Sequence, residues 1–405
     1  MRILFLTSEL PYPPYAGAPM RNFGIIEGLA DHEIWLLSFH SKRTIEPDRT
    51  PLARLCAAIT TVSTPVRTAP DRLRTLLLTS EADIARRFHS PAFAAQLRQW
   101  LSATRFDVIQ IENLEMAIYL PIIREIQPGT PVIYDAHNAE YALQQRIYET
   151  ERGALSNLPG AFYSRLQAER VRRLEQSVCR RVDHIIAVSE TDAGLLRTLA
   201  AGTPITVVPN GISAHLYCQP AVEPVDLEKP ALVFTGKMDY RPNIDAALWF
   251  GQEVLPLVRQ ELPNAHFYVV GQSPHPRLNV LRGQCGITLT GLVPDILPYL
   301  QAASVFVVPL RMGSGTRLKV LEAMAAGCPI VSTTIGVQGL AIKDGQEVMI
   351  ADTAKEFARS VVRLYRDSEQ AGMLGEKARA FVQERYDWSI LLPRLRAVYR
   401  ELGVG

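Results

Sequence analysis

Residues 304–333, SVFVVPLRMGSGTRLKVLEAMAAGCPIVST, constrain the fold more than any other stretch. Val305, Phe306, Val307 and Val308 form an apolar, β-branched run of strand length without polar alternation. That is the pattern of a strand buried on both faces of a parallel sheet. Gly313 and Gly315 break the run, and apolar residues then return at helical spacing: Leu318, Leu321 and Ala325, with Val320 and Met324 beside them. Gly327 stops this helix, and Ile330-Val331 starts the next strand.

A strand, a glycine loop and a helix N-terminus together make a site for an anion. The first amides of a helix lack internal partners and the dipole favours negative charge there. Gly313, Ser314 and Gly315 let the backbone approach a ligand closely. Thr316, Lys319 and Glu322 are three apart and share one helix face. Lys319 suits a phosphate, and Arg317 adds a bidentate donor. Glu322 would repel phosphate but can accept two hydroxyl hydrogen bonds, as from a ribose diol. Phosphate plus diol reads as a nucleotide. The blander alternative is a solvated Lys319/Glu322 pair beside an ordinary turn, worth a few tenths of a kcal/mol. The coincidence of loop, cation and carboxylate at the C-terminal end of a strand favours the nucleotide, because open α/β sheets bind ligands there.

The length of 405 residues suits two cores rather than one. A hydrophobic content of 47% with 21% charged residues fits a globular enzyme, and the net charge of +2 argues against nucleic acid as a partner. Five scattered cysteines without metal spacing fit free thiols in a cytoplasmic, reducing compartment. No apolar run is long enough to span a membrane, and Met1–Leu6 reads as a first strand rather than a signal peptide.

A first β/α series is expected over residues 1–213. It has strands near 1–6, 33–39, 106–111, 132–136, 183–189 and 205–212, helices over 21–30 and 140–182, and a basic, leucine-rich helical stretch over 67–99. The stretches 67–87 and 169–181 combine arginine with apolar residues, as a helix on an anionic membrane surface would. The plainer reading, a helix packed on the core with solvated arginines, is favoured for them. Residues 217–229 read as a linker. A second β/α series over 214–387 has strands at 231–235, 266–271 and 287–291 and helices over 244–259 and 296–302, all before the glycine loop. Residues 391–402 close the chain with an amphipathic helix.

GSGTRLKVLEAMAAGCPIVST at 313–333 resembles the nucleotide-sugar signature of family-4-type glycosyltransferases, which have the GT-B fold: two Rossmann-like parallel-sheet domains facing a cleft. The family usually carries two glutamates seven residues apart. The second matches Glu322, which the resemblance assigns to the donor ribose; the first falls at Ser314, where the chain departs from the pattern, as a subgroup with glycine and serine in this loop does. The resemblance places Gly17 near the donor diphosphate, although Gly17 also reads as a residue that permits a turn. It places Lys237 on the diphosphate. The family's second cation falls at Asn243, leaving Arg241 as a substitute. DAHNAEY at 135–141 resembles the segment whose histidine, here His137, lies beside the transferred sugar; a lone histidine is otherwise more often structural. His137, Lys319 and Glu322 are thus the candidate catalytic residues. The resemblance also implies that residues 388–405 cross back to the first domain.

The expected activity is metal-independent, retaining transfer of a sugar from a nucleotide-diphosphate-sugar to a hydroxyl acceptor, in exopolysaccharide, lipopolysaccharide or other cell-surface glycan synthesis. The donor is a substrate and no cofactor is expected. The acceptor would be a glycan or a lipid-linked molecule, reached from the cytoplasm or the inner face of the membrane. The chain has no Asp-x-Asp, no two-histidine metal spacing and no Walker-type loop. A GT-B-fold nucleotide-sugar epimerase and a non-catalytic nucleotide-sugar-binding protein are the competing readings.

Overall fold

The structure, a computed structural model, describes every residue except 15–16, 41–45, 69, 72–74, 76–78, 153–157, 313–316 and 404–405. For 147, 150–152 and 158–162 it describes the backbone alone. The chain divides into two compact units. The first comprises Met1–Asn210 with Leu391–Gly405, and the second Gly211–Ile390.

The first unit is built on a seven-stranded sheet of β1 (Arg2–Thr7), β2 (Glu33–His40), β3 (Ala58–Ser63), β4 (Val108–Glu112), β5 (Val132–Ala136), β6 (His184–Ala187) and β7 (Ile205–Val207). All pairs are parallel, in the order β3-β2-β1-β4-β5-β6-β7. The central strands are buried along their length, which is why their sequences run apolar instead of alternating. The order reverses between β1 and β4, so their C-terminal ends border a switch point.

The second unit repeats the plan with six parallel strands: β8 (Ala231–Thr235), β9 (His266–Val270), β10 (Ile287–Gly291), β11 (Val305–Val308), β12 (Ile330–Ser332) and β13 (Met349–Ile350). Their order is β10-β9-β8-β11-β12-β13, with the switch point between β8 and β11. Each unit has its own core: Phe39, Phe93, Ile111 and Tyr134 in the first, Phe234, Phe267, Phe306 and Leu321 in the second.

Several expected elements are redrawn. The helix placed over 21–30 spans Gly17–Gly28. The stretch 67–99 is not one helix: Asp83–Arg87 and Pro91–Ala103 are separate, the second capped by Ser90, whose hydroxyl accepts from the Phe93 amide. Residues 140–182 form two helices, Glu140–Arg152 and Leu158–Cys179. The helix expected over 244–259 is Arg241–Trp249 and Leu255–Glu261 joined by a π-helical turn, Phe250–Val254. The final helix spans Trp388–Glu401, and from Leu391 onward it belongs to the first unit. There Arg396 forks onto both carboxylate oxygens of Asp31 at 2.8 and 2.7 Å and donates to the Gly28 carbonyl.

Candidate active site

In the second unit, the site grows from the C-terminal ends of β8 and β11. After β8 the chain turns at Gly236, whose φ is +156°. A Cβ there would sit 2.7 Å from both Lys319 Nζ and Asn243 Nδ2, so glycine is what lets those side chains lie on the backbone. Gly313, Ser314, Gly315 and Thr316, after β11, lie outside the described residues. The segment resumes with buried Arg317 and the helix Leu318–Ala325, which ends at Gly327 in the left-handed region, φ +73°.

Lys319 reaches back from this helix to β8. Its Nζ donates to the Thr235 carbonyl at 2.6 Å and to Asn243 Oδ1 at 2.8 Å, and lies 4.3 Å from the centre of the Phe234 ring. Burial pushes its pKa down to about 7, with neighbouring Arg317 adding to the effect and Glu322 opposing it. Arg317 is itself pushed down by burial. Glu322, one turn on and 8% exposed, accepts from the Tyr217 hydroxyl at 3.1 Å. Burial raises its pKa to about 7, against the Tyr217 hydrogen bond and Lys319. Lys319 and Glu322 are therefore not a solvated surface pair.

Asn243, where the resembled family has a cation, is a hinge between residues: it accepts from Lys319 and donates through Nδ2 to the Lys237 carbonyl at 2.8 Å. Lys237 and Arg241 are exposed on the same β8–helix turn. Arg311, at the end of β11, forks onto Asp245 at 2.8 and 3.0 Å and lies over Trp249. The arrangement offers cations and hydroxyl acceptors at one switch point.

In the first unit, His137 follows β5 at the C-terminal edge of the sheet. Its turn is tied from both sides. Asp192 accepts from the Ala139 amide, and buried Glu175 accepts from the Glu140 and Tyr141 amides and the Tyr134 hydroxyl. His137 Nε2 lies 3.1 Å from Glu112 Oε2 at the end of β4, so its partner is a carboxylate and not a backbone carbonyl. Asp135 accepts a fork from Arg21 at 3.0 and 2.8 Å, a pair with side chains 0% and 1% exposed. Arg21 also donates to the carbonyls of Val208 and Pro209 and to Asn210 Oδ1. One ligand atom each from Glu112, Asp135 and His137 lie within 4.8 Å of one another, the spacing of a metal triad. Both oxygens of Asp135 and Oε1 of Glu112 already accept hydrogen bonds, Glu112 Oε2 is taken up by His137 Nε2, and the positive charge facing Asp135 is Arg21. Gly17 opens the helix that carries Arg21 and is exposed.

Sequence reasoning missed Arg21, Gln110, Glu112, Asp135, Tyr217 and Tyr399 as site residues. Gln110 and Glu112 carried a signal: two polar residues, two apart, inside an otherwise apolar buried strand point to one face. The basic stretches are largely committed to partners. Arg67 pairs with Asp83, Arg86 with Glu81, Arg87 with Glu115 and Arg173 with Glu169, while 72–74 and 76–78 lie outside the described residues. Among the described residues, no helix is long and apolar enough to cross a membrane.

Two Rossmann-like parallel sheets, a charged strand–loop–helix site on the second and a closing helix returned to the first define a GT-B-type α/β protein. The family follows from two family models that match consecutive parts of the chain: Glycosyltransferase Family 4 over residues 30–216 and Glycosyl transferases group 1 over 229–367. The chain belongs to these group 1, family-4 glycosyltransferases. It is 24% identical to a phosphatidyl-myo-inositol mannosyltransferase of Propionibacterium freudenreichii, over 82% of this chain and 79% of that protein. A 44.6 kDa uncharacterised protein in the cps region of Klebsiella pneumoniae is 24% identical over 40% of this chain and 44% of its own length. Among solved structures, Anabaena Alr3699/HepE in complex with UDP has a TM-score of 0.68 at 15% identity, covering 99% of this chain and all of that one. WaaG, a glycosyltransferase involved in lipopolysaccharide biosynthesis, has a TM-score of 0.63 at 15% identity with full coverage of both. At such identities these structures speak to the fold.

Proposed function

We propose that this chain transfers a hexosyl group from a nucleotide-diphosphate-sugar to a hydroxyl of a glycan or lipid-linked acceptor. The observation that carries the reading is half-buried Lys319 and buried Glu322 set one turn apart at the switch point of the second sheet. Lys319, Arg317, Lys237 and the helix amides would meet the diphosphate charge that develops as the glycosyl bond breaks, a role for fixed donors in a dry site. Glu322 would accept from the ribose diol. His137 would hydrogen-bond a hydroxyl of the transferred sugar, orienting it for front-face attack with retention. No metal is required in this scheme, because protein cations carry the countercharge. Uridine donors head the candidates, since the HepE structures hold UDP and UDP-glucose.

The test is calorimetric titration with a nucleotide-sugar panel, followed by product analysis with acceptors. Lys319→Ala should lower turnover by about a hundredfold or more, and Glu322→Gln should act mainly on donor affinity. Unchanged affinity and rate in both variants would remove the reading. Sugar interconversion without acceptor would make the chain an epimerase, and strict dependence on Mg²⁺ or Mn²⁺ after chelation would reject the metal-free scheme. The similarity to phosphatidyl-myo-inositol mannosyltransferases favours an acceptor displayed on a membrane. Salt-sensitive co-sedimentation with anionic liposomes would check that placement.

A further inference from the structure

Behind His137 lies a buried polar chain that ends on the last helix. The Tyr399 hydroxyl lies 2.6 Å from Gln110 Oε1. That oxygen can only accept, so the Gln110 amide is oriented with its NH₂ toward Glu112 Oε1 at 2.8 Å and Asp135 Oδ2 at 3.3 Å. Tyr399, Gln110, Glu112 and Asp135 are all 0% exposed and Arg21 is 1% exposed. The pocket therefore holds two carboxylates, one guanidinium already forked onto Asp135, and the His137 ring.

With both acids ionised and the ring neutral, one negative charge is left uncompensated where water does not reach, which is expensive. Two further acids face this cluster: burial raises the pKa of Glu115, beside Glu9 and with Arg87 at 3.1 Å opposing the rise, and burial raises that of Glu140 to about 7. A proton shared between Glu112 Oε2 and His137 Nε2 removes the charge. If the acid holds it, the neutral ring must carry its own proton on Nδ1; if the ring holds it, both nitrogens are protonated. In either case Nδ1 is a donor, and it meets no hydrogen-bonding partner among the described residues.

We propose that Glu112, fixed by Gln110 and Tyr399, is a positioning residue that holds a proton against Nε2 and so presents Nδ1–H of His137 to the transferred sugar. This rests on the role given to His137 above. When the shared proton is lost at alkaline pH, Nε2–H turns to the Glu112 carboxylate and Nδ1 becomes an acceptor. In Glu112→Gln, the new amide oxygen faces the Gln110 NH₂. Its own NH₂ then faces Nε2, which locks the ring in the Nδ1–H form.

Long-range ¹H–¹⁵N spectra of the full chain labelled at histidine read this tautomer directly, with His137 assigned by its absence from His137→Gln. The expected result is Nδ1–H at pH 7, converting to Nε2–H at alkaline pH in the wild type but not in Glu112→Gln. An Nε2–H tautomer at pH 7, or identical titration in both proteins, overturns the proposal. The wild-type spectrum decides even where the variant fails to fold. It is also independent of turnover, so the transferase reading stands or falls separately on donor binding and products. In the transfer assay, Glu112→Ala should lose at least tenfold in kcat with donor KM unchanged. Glu112→Gln should restore that rate and lack the wild-type alkaline decline; loss in both variants without restoration overturns the positioning role.

Discussion

Lys319 lies under two opposed demands: burial favours its neutral form, and an anionic ligand would favour its charged one. Its folded value of about 7 lies below the usual lysine value. In the empty protein it therefore weakens folding, with no penalty above the unfolded value and the full penalty below about pH 7. A bound diphosphate reverses this by raising the pKa. Affinity should be greatest below pH 7 and fall by up to about tenfold per unit above it, until the bound-state value is passed. Titration calorimetry in two buffers of different ionisation enthalpy should show proton uptake near pH 8, and Lys319→Gln should flatten the profile. A pH-independent affinity in the wild type would mean that Lys319 does not meet the phosphate. Lys319 and Glu322 were legible in the sequence because their spacing is local, one turn of one helix. Gln110 and Tyr399 are 289 residues apart, and no local pattern pairs them. The sequence could likewise name Asn243 as a departure, but not show it steering Lys319 Nζ against the Thr235 carbonyl.

At the level of elements, the helix Trp388–Glu401 shows which contacts hold a crossing segment. Leu391, Leu395, Val398 and Tyr399 are buried at helical spacing, whereas the Arg396–Asp31 fork is partly exposed. Leu395→Ala should cost about 2–5 kcal/mol through the cavity it leaves. Removing the guanidinium in Arg396→Ala should cost about 1 kcal/mol or less by way of the ion pair. Urea denaturation of the two variants checks the ranking; an equal or larger loss for Arg396 would mean that the fork, not the apolar face, anchors the helix. The parallel central strands were readable because burial on both faces leaves a continuous apolar run. β3 was not, since Ala58–Ser63 is a half-exposed edge strand with two threonines, and β13 is only two residues long. The π-helical turn at Phe250–Val254 was invisible because it keeps helical periodicity nearly intact while changing register.

For the whole molecule, two separate cores lead to an expectation of two unfolding transitions in scanning calorimetry. Nucleotide at a hundred times its dissociation constant should stabilise by about 2.7 kcal/mol, and that gain should appear in the transition of the second unit. A shift confined to the first unit's transition would place the nucleotide on the wrong sheet. The division of the chain also bears on how it is made. The second unit is one continuous block, Gly211–Ile390, but the first is completed only by residues beyond it. At synthesis rates of about 5–20 residues per second, residues 211–390 keep the first sheet waiting roughly 10–40 s on the ribosome for its last helix. Through that interval the groove for Leu391, Leu395 and Tyr399 is open and Gln110 lacks the Tyr399 hydroxyl. The nascent first half thus waits with part of its packing open, and the second block, made later, is the first able to finish folding.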